Sequence, residues 1–110
     1  MPLLEKARIE IYLPDLPKKE YKQLLEAFDQ EFTFTFDGAT ILHNLDGSYL
    51  SKFGQKINDR ISLIYTDTPF SFEQHFQLIS NYTDRLREAA FDSLQEEAIL
   101  VVVLKVFHSA

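Results

Sequence analysis

The run Ala98-Ile-Leu-Val-Val-Val-Leu104 constrains the fold more than any other part of the chain. It is far too short to cross a bilayer as a helix, which takes about 20 residues. Its β-branched residues are stiff at χ1 and favour extended backbone, so the run predicts a strand buried on both faces. A strand with two apolar faces needs two covers. A layer of helices supplies one, and a second copy of the chain is the usual source of the other. With 110 residues, 45% of them apolar and 14% aromatic, the chain can bury a core as one domain spanning 1–110.

Ala7, Ile9, Ile11 and Leu13 alternate with Arg8, Glu10 and Tyr12, the period of a half-buried strand over 7–13. Pro14-Asp15-Leu16-Pro17 stops it and offers Asp15 as a helix N-cap. The spacing of Tyr21, Leu24, Leu25, Phe28 and Phe32 then predicts an amphipathic helix ending near Gln30. Phe32-Thr-Phe-Thr-Phe36 alternates strictly and favours extended structure until Asp37-Gly38 breaks it. Ala39–Asn44 resumes an extended pattern, and Asp46-Gly47 signals a hairpin tip, so an extra β-ribbon is expected around residues 45–55. Gly54 and Asn58-Asp59 mark further turns before a mostly buried strand over Arg60–Thr66. Ser71 and Gln74 form a capping box for a long helix through Phe72, Phe76, Ile79, Leu86, Ala90 and Leu94.

The order β-α-β-β-α-β, with right-handed crossovers, gives an α+β ferredoxin-like sandwich: an antiparallel sheet with both helices on one face. Phe36-Asp-Gly-Ala-Thr-Ile-Leu42, Asp46-Gly-Ser-Tyr49 and Asn58-Asp-Arg-Ile-Ser-Leu-Ile-Tyr-Thr-Asp67, followed by a helix and the strand Glu97–Val106, resemble small bacterial ferredoxin-like α+β proteins of unknown function. The resemblance implies the fold and transfers no activity or catalytic residue.

Eleven Lys and Arg against 17 Asp and Glu leave a net charge of −6, which argues against nucleic acid and against anionic membrane surfaces as partners. The absence of cysteine excludes disulfides, thiolate nucleophiles and iron–sulfur clusters, and no cofactor is expected. The charged start Met-Pro-Leu-Leu-Glu-Lys-Ala-Arg has no signal core, so a cytoplasmic location is expected. Tyr12–Lys19 contains no arginine for the anion cradle of an acylphosphatase. The second central strand lacks the basic aromatic signature of an RNA-recognition module.

Three groups of side chains could carry chemistry. Asp15, His43, Asn44, Asp46, Asp59, Glu96 and Glu97 gather at one end of the sheet in this topology. Within that group His43, Asp46 and Asp59 are candidates for a hard cation, against the plainer reading that they are turn and cap residues and that no metal is bound. The opposite end collects Asp37, Tyr65, Asp67, Thr68, Ser71 and His108. Tyr65, Asp67 and His108 are the ligand-binding candidates there, with Asp67 fixing the imidazole tautomer. On the open sheet face Arg8, Glu10 and Tyr12 point outward and Ile64 is expected beside them, with Glu10 as general acid or base, Arg8 as anion clamp and Tyr12 as hydrogen-bond donor. The reading favoured by the absence of any catalytic motif is a non-enzymatic module. It self-associates through the sheet as a dimer, face to face or edge to edge, and takes a partner or small ligand on the open sheet face. A small acid–base enzyme working from Glu10, Arg8 and Tyr12 is the alternative.

Overall fold

Ala7, Ile9, Ile11 and Leu13 are all buried on one side of a strand, β1 (Leu3–Pro14), and that side carries the helices. The computed structural model describes residues 3–94 and 99–109. After β1 come α1 (Lys19–Phe36), β2 (Thr40–Leu50), β3 (Lys56–Asp67), α2 (Phe76–Leu94) and β4 (Leu100–Ser109). The four strands form one antiparallel sheet in the order β2-β3-β1-β4. This is the expected ferredoxin-like α+β sandwich. Its core joins Ile9, Ile11, Leu13 and Ile64 of the sheet to Leu24, Phe28, Phe32, Leu86 and Ala90 of the helices. No helix among the described residues is long and apolar enough to cross a membrane.

Several local expectations are corrected. Residues 32–36 are not extended: α1 continues through them, because Phe28, Phe32 and Phe36 recur every fourth residue and keep one helix face on the core. Thr33 and Thr35 donate to Asp29 and Glu31 one turn back. The odd residue out, Phe34, is left 85% exposed. The helix ends at Asp37 in the left-handed conformation (φ 70°). Its N-cap is Lys18, with no capping side chain; Asp15 instead turns toward β2.

Asp46-Gly47 and Asn58-Asp59 are not turns. Both lie inside strands, Asp46 opposite Arg60 and Gly47 opposite Asp59, and the hairpin tip is residues 51–55. A Cβ on Gly47 would come within 2.6 Å of the Ile61 side chain, so the glycine belongs to strand packing. The ribbon expected around 45–55 is the outer part of β2 and β3, running on past the segment of β3 that β1 pairs. Helix α2 starts at Phe76, four residues later than the apolar pattern suggests. Ser71 still caps the turn before it, accepting from the Gln74 amide.

Within one chain the last strand is not buried on both faces. β4 is an edge strand, and from Val101 to Leu104 its residues are only partly buried. Ala98, at the start of the apolar run, lies outside the described residues.

Candidate functional site on the open sheet face

Strand parity decides which side chains reach the open face. Ile9 pairs with Thr66, Ile11 with Ile64 and Leu13 with Ser62, so these three β3 residues face the helices. Ile64 is therefore not beside Glu10 but in the core, at 0% exposure. The open face receives Leu63, Tyr65 and Asp67 from β3, opposite Tyr12, Glu10 and Arg8. From β4 it receives Leu100, Val102 and Leu104 opposite the same three residues. Leu63 and Ile64 are adjacent and both apolar, so alternation alone does not rank them, and only the register puts Ile64 inside.

The register merges two groups that the sequence placed apart. Arg8 and Asp67 stand directly opposite, and the guanidinium grips the carboxylate with Nε at 2.6 Å from Oδ1 and Nη2 at 3.1 Å from Oδ2. His108 reaches over from β4, its Nε2 2.8 Å from Asp67 Oδ2. The Arg8 guanidinium lies 4.3 Å above the centre of the Tyr65 ring. One strand step away, the Tyr12 hydroxyl donates to Glu10 Oε1 at 2.9 Å. All three acid–base candidates and all three ligand-binding candidates thus share one surface. A signal for this was present in the sequence: antiparallel neighbours must bring the end of β3 against the start of β1, and those ends carry opposite charges.

The electrostatics follow the contacts. The hydrogen bond from Arg8 holds the Asp67 carboxyl below its ordinary range; burial opposes this, and His108 adds to it. The same bond raises the Arg8 pKa. The hydrogen bond to Glu10 raises the Tyr12 hydroxyl pKa, and burial adds to it. Chemically, both carboxylates are occupied: Asp67 by three nitrogen contacts, Glu10 by a tyrosine hydroxyl. Arg8 and Asp67 form an ion pair, whereas the Glu10 carboxylate has a neutral hydroxyl as its partner. A cavity of about 270 Å³ lies against Tyr12, Ile61 and Leu100, and neither Arg8 nor Glu10 lines it.

At the other end of the sheet Asp15 Oδ2 accepts from the Asn44 amide at 2.8 Å, and Asn44 Oδ1 accepts from Arg60 at 3.1 Å. His43 Nδ1 is 3.3 Å from Ser62 Oγ. Asp15, His43 and Asn44 do converge there. Asp46 and Asp59, one register step apart, leave opposite faces of the ribbon. Among the described residues no three His, Asp or Glu side chains are placed to hold a metal ion together. Glu96 and Glu97 lie outside the described residues.

No protein-family model matches the sequence, and a search of characterised proteins finds no match. Solved structures do match. CutA1 from Oryza sativa superposes with a TM-score of 0.62 at 15% identity, over 98% of this chain and 85% of that one. The apo form of CPII from Thiomonas intermedia K12, a nitrogen regulatory PII-like protein, gives 0.52 at 19% identity over 97% and 95%. The fold is that of CutA1 and the PII-like proteins. A phage SAM lyase in complex with S-methyl-5′-thioadenosine also shares it, with a TM-score of 0.57 at 12% identity over 96% and 90%. At these identities the likeness is one of architecture, and architecture that serves a lyase as well as a regulator does not choose a chemistry.

Proposed function

We propose that this chain is a non-enzymatic, self-associating module, and that the open face of its sheet is the surface covered by another copy. One observation carries the reading: the face is a band of apolar side chains, Leu63 with Leu100, Val102 and Leu104, set around the Arg8–Asp67 ion pair. Solvent gives apolar strand residues no reason to line up on an outer face, whereas a partner does. Burying Arg8 and Asp67 together avoids the cost of an unpaired buried charge. A dimer is the smallest assembly that covers the face. The fold is shared with a nitrogen regulatory PII-like protein, and by analogy that supports a binding role.

The acid–base alternative on Glu10, Arg8 and Tyr12 has less support, because Arg8 is committed to Asp67 and Glu10 to Tyr12. Sedimentation equilibrium at micromolar concentration tests the module. The expected mass is a multiple of 12.8 kDa. Leu104→Glu, on the open face, is expected to give a folded monomer. A wild-type chain that sediments at the monomer mass overturns the reading.

A further inference from the structure

On the opposite side of the sheet from the proposed interface, a cavity of about 340 Å³ opens between the C-terminal turn of α1, the loop after β3 and the first half of α2. Its floor is Ile9 and its walls are Phe36, Phe70, Ile79 and Tyr82. Two edge-to-face contacts brace those walls: Phe36 meets Phe70 at 6.4 Å and Tyr82 at 5.5 Å between ring centres. The rigid rings keep the two helices from closing over the gap.

Its polar groups are few and nearly all used. Thr68 Oγ1 donates to the Ala7 carbonyl and accepts from the Phe70 amide. Thr35 and Tyr82 both donate to Glu31. Burial, reinforced by Glu31, pushes the Tyr82 hydroxyl far above its ordinary ionisation range, so it stays neutral. The exception is Arg85. It lines the cavity, and its guanidinium lies 5.8 Å from the Tyr82 ring centre. Among the described residues no carboxylate pairs with it, whereas Arg87, two residues on, is paired to Asp84 at 2.6 Å.

From this we infer that the cavity is a binding site for a small organic monocarboxylate, with an aromatic ring buried among Phe36, Phe70 and Tyr82 and the carboxylate held at the mouth by Arg85. The size fits. An apolar cavity of about 150 Å³ takes benzene, so roughly twice that volume takes a ring with a short chain. Cavities of this size, mainly apolar with one fixed charge, are the usual form of small-molecule sites. Arg85 is the one charged residue among the described residues lining the cavity, so it assigns the anionic end. The site is independent of self-association, since it lies on the helix-bearing side of the sheet.

The test uses the full chain and 3-phenylpropionate, followed by amide chemical-shift mapping. Saturable binding with a Kd of about 1 mM or tighter is expected, with shifts centred on Phe70, Ile79 and Tyr82. The neutral analogue 3-phenylpropanol, and the exposed variant Arg85→Gln with the acid, are each expected to bind about tenfold more weakly. Leu78→Trp, which fills the cavity from its edge, is expected to abolish binding; should it fail to fold, the Arg85→Gln and alcohol comparisons still decide. Absence of saturation at about 5 mM, equal binding of acid and alcohol, or shifts confined to the open sheet face would each overturn the assignment.

Discussion

Arg8 and Asp67 face each other across the central strand pair, and each is the other's strongest electrostatic partner. Both are largely covered, with side-chain exposures of 27% and 19%. Asp67→Asn is therefore expected to lower stability by about 2 kcal/mol, read from urea denaturation at neutral pH. The pH profile gives a second readout. Because the folded carboxyl titrates below its unfolded value of about 3.9, its contribution is present above that pH and fades as pH falls through the lower folded value. The difference in stability between wild type and Asp67→Asn is expected to shrink below about pH 4. A difference that does not shrink as pH falls below about 4 would be inconsistent with the ion pair as its source.

Adjacent residues on β4 are expected to behave oppositely. Val101 pairs with Ile11 and packs against the helix-side core, while Val102 pairs with Glu10 on the open face. Val101→Asp places a carboxylate among apolar groups and is expected to cost at least about 3 kcal/mol, visible as lost cooperative melting. Val102→Asp is expected to keep the fold by circular dichroism and to lower the sedimenting mass.

Thr68 is fully buried where β3 leaves the sheet. Its hydroxyl is the acceptor for the Phe70 amide at 3.2 Å, and Thr68→Val keeps the shape while removing that acceptor. A loss of about 1–2 kcal/mol is expected by chemical denaturation. Thr68→Ser, which restores the acceptor, is expected to recover most of it.

At the β2 bulge Asn44 sits at φ 59°. Asparagine tolerates this conformation and a β-branched residue does not. Asn44→Val is expected to cost about 1–2 kcal/mol in a thermal melt, and Asn44→Gly no more than about 0.5 kcal/mol. Equal effects from the two would show that backbone strain does not govern the site.

The elements that could be read from the sequence are those where one period holds from end to end. Ala7 to Leu13 and the apolar spacing of Ile79, Leu86 and Ala90 appear in the structure as one buried strand face and one buried helix stripe. Reading failed where two periods coexist. Phe32, Phe34 and Phe36 satisfy a strand's alternation, yet Phe28, Phe32 and Phe36 also satisfy a helix's four-residue step, and the helix core decides between them. The turn signals Asp46-Gly47 and Asn58-Asp59 failed for a different reason: strand partners opposite each other override local turn preference. At the candidate site the residue types were legible and the register was not. The contact of His108 with Asp67 was anticipated from their types, but that Arg8 completes it depends on a pairing only the sheet fixes.

The C-terminal turns of α1 hold a sequence that would rather be extended. Phe32-Thr-Phe-Thr-Phe36 has the composition of a segment that stacks with its own copies as cross-strands when released from tertiary contacts. In the native chain it is coiled, with Phe32 sealed in the core and Phe34 left in solvent. Local preference and global fold are thus in conflict over these residues, and the conflict is settled by packing against the sheet. Fraying that end of α1 exposes a self-complementary aromatic strand as well as apolar surface. The packing of Phe28 and Phe32 on the sheet therefore guards the chain's colloidal behaviour as much as its folding free energy.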